Sequence, residues 1–271
     1  MEQTRSSMVV NGIDIYYEEY KQPCAKDTIL LIHGFLSSTF SFRRLIPLLK
    51  NDFNIISIDF PPFGKSGKST KFHYTYANIA STILTLIERL GYKNFIAAGH
   101  SMGGQIVLNM ILLRPELITK AILICCSGYV PRAKTHLKFL TYVPFIGLVV
   151  KSYLKKSGVK GNLQLVVYDQ SIIDEEMIKG YEEPFHHNEI FRALAKMLRH
   201  REGDLAPQAL QTIQTPCLLI WGEYDKVVPL KIGNHLAEDL PHSKLVVLND
   251  AGHLLPEEKP KKVYEEIKHF I

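Results

Sequence analysis

The sequence predicts an α/β protein: a mostly parallel sheet flanked by helices, with a helical insertion. Short apolar runs that suit strands buried on both faces recur at 28–32, 53–58, 94–98, 120–126, 217–221 and 244–248. Stretches with helical apolar spacing stand between most of them. From about residue 130 to 205 the alternation stops, and only helical patterns are found. The expected organisation is a core of residues 1–129 and 206–271, with a helical cap at 130–205 inserted into it.

Taken in order, residues 8–17 read as a β-hairpin, because Asn11-Gly12 is the preferred two-residue turn between β-favouring residues. This hairpin gives the sheet an antiparallel start. The run 41–49 has helical spacing. Residues 61–67, with Pro61-Pro62 and two glycines, form a loop. Thr75 is placed to cap a helix whose apolar stripe holds Ile79, Ile83, Leu86, Ile87 and Leu90, closed by Gly91. Within 130–205, helices are expected over 137–154, 162–169, 174–182 and 188–201. The closing elements are helices over 230–240 and 263–271.

Composition narrows the class. The 271 residues are 46% hydrophobic, enough for a sizeable core, and the net charge of +5 is spread along the chain. Nothing in this points to nucleic acid. The four cysteines (Cys24, Cys125, Cys126 and Cys217) lack metal-like spacing and read as free thiols. The N-terminus has no apolar signal core, and the apolar stretch 137–150 is too short to span a bilayer. A soluble, cytoplasmic protein without stable membrane insertion is expected; its oligomeric state is left open.

The chemistry gathers at strand ends. Gly99-His100-Ser101-Met102-Gly103-Gly104 joins a strand to a helix and matches the G-x-S-x-G nucleophile elbow. A serine hydroxyl needs a base to take its proton and a third group to orient that base. Asp225 follows the strand at 217–221, and His253 follows the strand at 244–248. In a parallel sheet these ends share one edge with Ser101. Glu223 and Asp250 are rival acids. The backbone N–H groups of Met102, at a helix N-terminus, and Phe35, after His33-Gly34, are candidate oxyanion donors. His33 and His100 read as structural, and His186-His187 as surface rather than metal ligands.

These stretches, with the loop 59–67, Gly222-Glu223-Tyr224-Asp225 and Ala251-Gly252-His253, resemble the α/β-hydrolase fold superfamily. The chain is most similar to its bacterial cap-bearing serine hydrolases of the esterase type. The resemblance implies an α/β-hydrolase fold and a catalytic triad of Ser101, Asp225 and His253. It further implies an oxyanion hole from the Phe35 and Met102 amides, no metal and no organic cofactor. Ser101 at the elbow argues against the aspartate-nucleophile branches. A small apolar ester-like substrate is expected, in a pocket with Leu36, Phe139, Tyr142, Phe145, Val227 and Leu254 as candidate lining. Carbon–carbon bond hydrolysis, lactone opening and a slowly hydrolysing ligand receptor are the alternatives.

Overall fold

A computed structural model of the chain describes residues 2–134, 141, 152 and 158–271. Its eight strands are β1 (Glu2–Val10), β2 (Ile13–Lys21), β3 (Thr28–Ile32), β4 (Asn54–Ile58), β5 (Phe95–His100), β6 (Ile118–Ile124), β7 (Cys217–Gly222) and β8 (Ser243–Leu248). They form one sheet in the order β1-β2-β4-β3-β5-β6-β7-β8. β2 is antiparallel to both β1 and β4, and every other neighbour pair is parallel. The helices that concern the site are α1 (Tyr76–Arg89), α2 (Met102–Leu113), α3 (Glu175–Glu182), α4 (Glu189–His200), α5 (Leu230–Asp239) and α6 (Pro260–Phe270).

Side-chain alternation along the strands divides the core in two. Leu30, Ile32, Ala97, Leu123, Leu219 and Trp221 face one layer, packed against α1, α2, α4 and Leu236 of α5. Ile29, Leu31, Ile96, Ile122, Ile124 and Ile220 face the other, packed against Phe42, Leu49 and Val263 and Ile267 of α6. The central strands are buried on both faces, which is why they read as unbroken apolar runs.

The hairpin turns at Asn11 and Gly12 with φ of 51° and 76°, the left-handed conformations that this dipeptide accommodates. Both strands run further than 8–17, because the outer half of β1 is exposed and β2 ends in Glu18-Glu19-Tyr20-Lys21, and neither carries an apolar signal. Thr75 caps α1 as expected, accepting from Asn78 N–H. The single helix expected over 41–49 is instead a 3₁₀ turn at Thr39–Phe42 and a helical turn at Ile46–Leu49. Pro47 stands early in the second turn, where its missing N–H costs nothing, and cannot sit inside one continuous helix. The apolar spacing was real, since Phe42, Leu45, Ile46 and Leu49 are all buried. α6 begins at Pro260 rather than 263, again with proline in the first turn.

Between β6 and β7 the described residues hold helices and no strand. Residues 158–166 are helical, so the helix expected over 162–169 ends sooner and starts earlier. α3, capped by Asp174 on Met177 N–H, and α4 lie close to the expected 174–182 and 188–201. The helix expected over 137–154 falls outside the described residues apart from Thr141 and Ser152.

Candidate active site

β5 ends at His100, and α2 starts at Met102. Ser101, between them, has φ 53° and ψ −118°, a strained conformation for a residue with a Cβ. The surroundings over-determine it. Ser101 N–H donates to Ile124 O at 2.9 Å, and Ser101 O accepts from Gly104 N–H at 2.9 Å and Ser127 N–H at 3.0 Å. The turn is tight because α2 crosses close over β3. A Cβ on Gly103 would stand 2.2 Å from Ile32 O, so only glycine fits. Gly34 likewise brings the loop after β3 against the turn, where a Cβ would lie 3.1 Å from Ser101 Cβ.

Asp225 and His253 meet as the strand order demands, from the ends of neighbouring β7 and β8. His253 Nδ1 donates to Asp225 Oδ2 at 2.7 Å, and both side chains are buried. Asp225 Oδ1 accepts from Val227 N–H and Val228 N–H, each at 2.8 Å, which locks the carboxylate. With Nδ1 engaged, Nε2 is the ring nitrogen left for chemistry. Glu223 and Asp250, the rival acids, are both exposed.

His100 is fully enclosed, and its Nε2 donates to His253 O at 2.8 Å. Burial pushes its pKa down to about 3, so the ring is neutral and is a donor through Nε2. Its Nδ1 has no hydrogen-bond partner among the described residues. His33 is equally buried: Nδ1 donates to Gly34 O at 2.7 Å, Nε2 accepts from Phe60 N–H at 3.3 Å, and the ring stacks on Phe60. Burial holds it too down to about 3. It supports the turn that carries Phe35.

Cys125, Asp225 and His253 form the one cluster of three metal-ligating side chains among the described residues, their ligand atoms within 4.8 Å of one another. Asp225 and His253 already spend those atoms on each other. Burial raises the Cys125 thiol well above its ordinary pKa, keeping it protonated, and its Sγ lies 3.9 Å from Gly252 O.

A pocket of about 310 Å³ opens over Ser101, and Met102 and Phe35 line it too, whereas Asp225 and His253 are not among its described lining. Of the expected lining residues Val227 is there. Leu36 and Leu254 are not among the described lining. Leu36 packs on the core beside the sheet, and Leu254 is buried with Leu163, Val167, Met177 and Tyr181. Phe139, Tyr142 and Phe145 fall outside the described residues. The walls that sequence reasoning missed come from α4, through Leu194, Met197 and Leu198. Their i, i+3, i+4 spacing was a usable signal, but it equally suits a helix packed on a core. At the polar end Ser127 Oγ donates to Asp204 Oδ2 at 2.6 Å, and Tyr76 OH donates to Asp204 Oδ1 at 3.1 Å. Burial raises the Asp204 pKa.

No helix among the described residues is long and apolar enough to cross a membrane. The uncharacterized hydrolase YugF of Bacillus subtilis (strain 168) is 49% identical over 262 residues, covering 97% of this chain and 96% of its own. A monoacylglycerol lipase of Xenopus laevis, abhd6-B, is 24% identical over 263 residues, covering 94% of this chain and 78% of its own. Among solved structures, a thermophilic esterase from Thermogutta terrifontis superposes with a TM-score of 0.79 at 20% identity, covering 98% of this chain and 97% of that one. A model of the alpha/beta hydrolase family matches residues 29–266. Matched over most of its length and folded as its relatives are, the chain belongs to the alpha/beta hydrolase family.

Proposed function

We propose that the protein is a serine hydrolase that cleaves ester-like bonds of small apolar substrates through an acyl-enzyme. Ser101 Oγ attacks the carbonyl carbon while His253 Nε2 takes its proton. Asp225 holds His253 in the tautomer that leaves Nε2 unprotonated. The Phe35 and Met102 amides receive the oxyanion, with the N-terminus of α2 behind the second. His253 returns its proton to the leaving group. It then activates a water that releases the acid and restores Ser101.

The observation that carries this reading is the 2.7 Å bond between His253 Nδ1 and Asp225 Oδ2, formed at the same sheet edge as Ser101. The largely apolar pocket above Ser101 and the lipase among the relatives support an ester of modest size. In the same reading, residues 130–205 are a helical cap on a core of 1–129 and 206–271. The pocket walls supplied by α4 support that division.

The test is turnover of p-nitrophenyl esters of graded acyl length by the wild type and Ser101→Ala. The expected result is a loss of about 10⁴-fold or more in kcat for the variant. Comparable turnover by the two proteins overturns the reading.

A further inference from the structure

The histidine loop is held by residues 166–169 as well as by the sheet. His253 N–H donates to Val166 O at 2.7 Å. Gly252 N–H donates to the Glu258 carboxylate, 3.1 Å from Oε1 and 3.2 Å from Oε2. The same carboxylate accepts from Tyr168 N–H at 2.7 Å and Asp169 N–H at 3.4 Å. Glu258 therefore gathers backbone donors from both stretches into one point. The two backbones run so close that a Cβ on Gly252 would lie 2.7 Å from Val166 O.

Neighbouring contacts point the same way. The Tyr168 ring stacks on Tyr224, in the loop that carries Asp225, with centroids 4.8 Å apart. Leu254, directly after His253, is buried among Leu163, Val167, Met177 and Tyr181. Glu257 is buried and ion-paired to Arg43 at 3.1 Å and Arg44 at 3.2 Å, and these arginines reach Asp174 and Glu176 at the start of α3. Two consecutive glutamates thus fasten the histidine loop to the segment between β6 and β7. The buried His253 N–H finds its acceptor in Val166, so the loop keeps this shape while residues 166–169 are docked.

We propose that Glu258 is a positioning residue for His253, fastening the backbone of the histidine loop to residues 166–169 so that the ring is aligned only when that segment is docked. This rests on the reading of Ser101, His253 and Asp225 as the reacting set. Glu258 touches no substrate and acts through the Gly252 amide. It makes residues 166–169 part of the machinery that aligns the base.

Glu258→Gln keeps the volume of the side chain but turns one acceptor oxygen into an NH₂ group facing backbone N–H groups. Displacing a catalytic group by an ångström costs about 10²-fold, and kcat on p-nitrophenyl butyrate is expected to fall by about that factor. KM is expected to stay within about twofold, because ground-state contacts with the ester are untouched. Tyr168→Ala loosens the other side of the clamp and is expected to lower kcat in the same direction. The Ala substitution keeps the backbone N–H that Glu258 accepts and removes the stack on Tyr224, so both changes reach His253 through the same docked segment. The double variant is therefore expected to fall short of the product of the two single effects. Far-UV circular dichroism and thermal melting report the folded fraction, and Tyr168→Ala carries the test if Glu258→Gln does not fold. Wild-type kcat in folded Glu258→Gln, a change confined to KM, or additive effects of the two substitutions overturns the proposal. A Ser101→Ala variant that still turns over would instead sink the underlying reading. An inactive Ser101→Ala beside a fully active Glu258→Gln sinks this proposal alone.

Discussion

His100 Nε2 donates a 2.8 Å hydrogen bond to the backbone oxygen of His253, 153 residues further along the chain. The residue next to Ser101 in sequence therefore fixes the distance between the turn and the histidine loop. His100→Phe keeps an aromatic ring in the enclosed site but strands the His253 carbonyl. A loss of about 1–3 kcal/mol in unfolding free energy is expected, read from urea denaturation. Turnover of a p-nitrophenyl ester is expected to fall along with it, by about tenfold or more. An unchanged midpoint and rate would mean that the bond contributes nothing.

Asp225→Asn should separate orientation from fold. Oδ1 is already committed to the Val227 and Val228 amides, so the substituted amide must place its NH₂ toward His253 Nδ1. The imidazole then accepts at Nδ1 and carries its proton on Nε2, where it cannot take one from Ser101. A drop of about 10⁴-fold in kcat is expected, with little change in the melting curve. Glu223→Gln is expected to leave kcat unaltered, because Glu223 is exposed and outside this network. The reverse pattern of rates would move the acid from Asp225 to Glu223.

Ser101, Asp225 and His253 were legible because each sits where an apolar strand stops, and strand ends need only local sequence to be found. The glycines around Ser101 were legible for the same reason. The bend between Thr39 and Leu49 was misread as one helix, because apolar spacing outweighed Pro47. Leu254 and Leu194 show a deeper limit. Both are apolar and near the site, yet Leu254 is buried beside Leu163 while Leu194 faces the pocket, and only the packing of α4 decides that. His100 and Glu258 also bond to backbone atoms 153 and 90 residues away, which no residue pattern displays.

Acid should destabilise the protein through its buried histidines. His33 and His100 have folded pKa values lowered to about 3 from 6.5. Below pH 6.5 the unfolded chain takes up protons that the folded one refuses, so stability is full above that pH and falls toward pH 3. Asp59 opposes this. Burial raises its folded pKa to about 6 from 3.8, so its contribution is present below pH 3.8 and lost as pH rises through 6. Asp204, Glu257 and Glu258, also raised by burial, act in the same sense as Asp59. The two histidines are shifted furthest, and the urea midpoint is expected to be lower at pH 5 than at pH 7. Asp59→Asn removes one opposing group and is expected to steepen the fall between pH 6 and pH 4, whatever its cost at pH 7. A midpoint flat across this range in both proteins would contradict the burial of the two rings.

Chain-length preference should respond to α4. Leu194 and Met197 line the pocket above Ser101, whereas Val227 lines it from the loop that carries Asp225. Met197→Trp puts an indole into a space of about 310 Å³ and shortens the room for an acyl chain. Each lost methylene contact is worth about 1–3 kcal/mol of discrimination. kcat/KM for p-nitrophenyl octanoate is therefore expected to fall by about ten- to hundredfold, while that for the acetate changes little. Leu194→Ala enlarges the same wall and is expected to shift the optimum toward longer chains. Profiles that move together for acetate and octanoate would indicate a damaged fold rather than a reshaped pocket. An unchanged octanoate rate in Met197→Trp would place the acyl chain elsewhere.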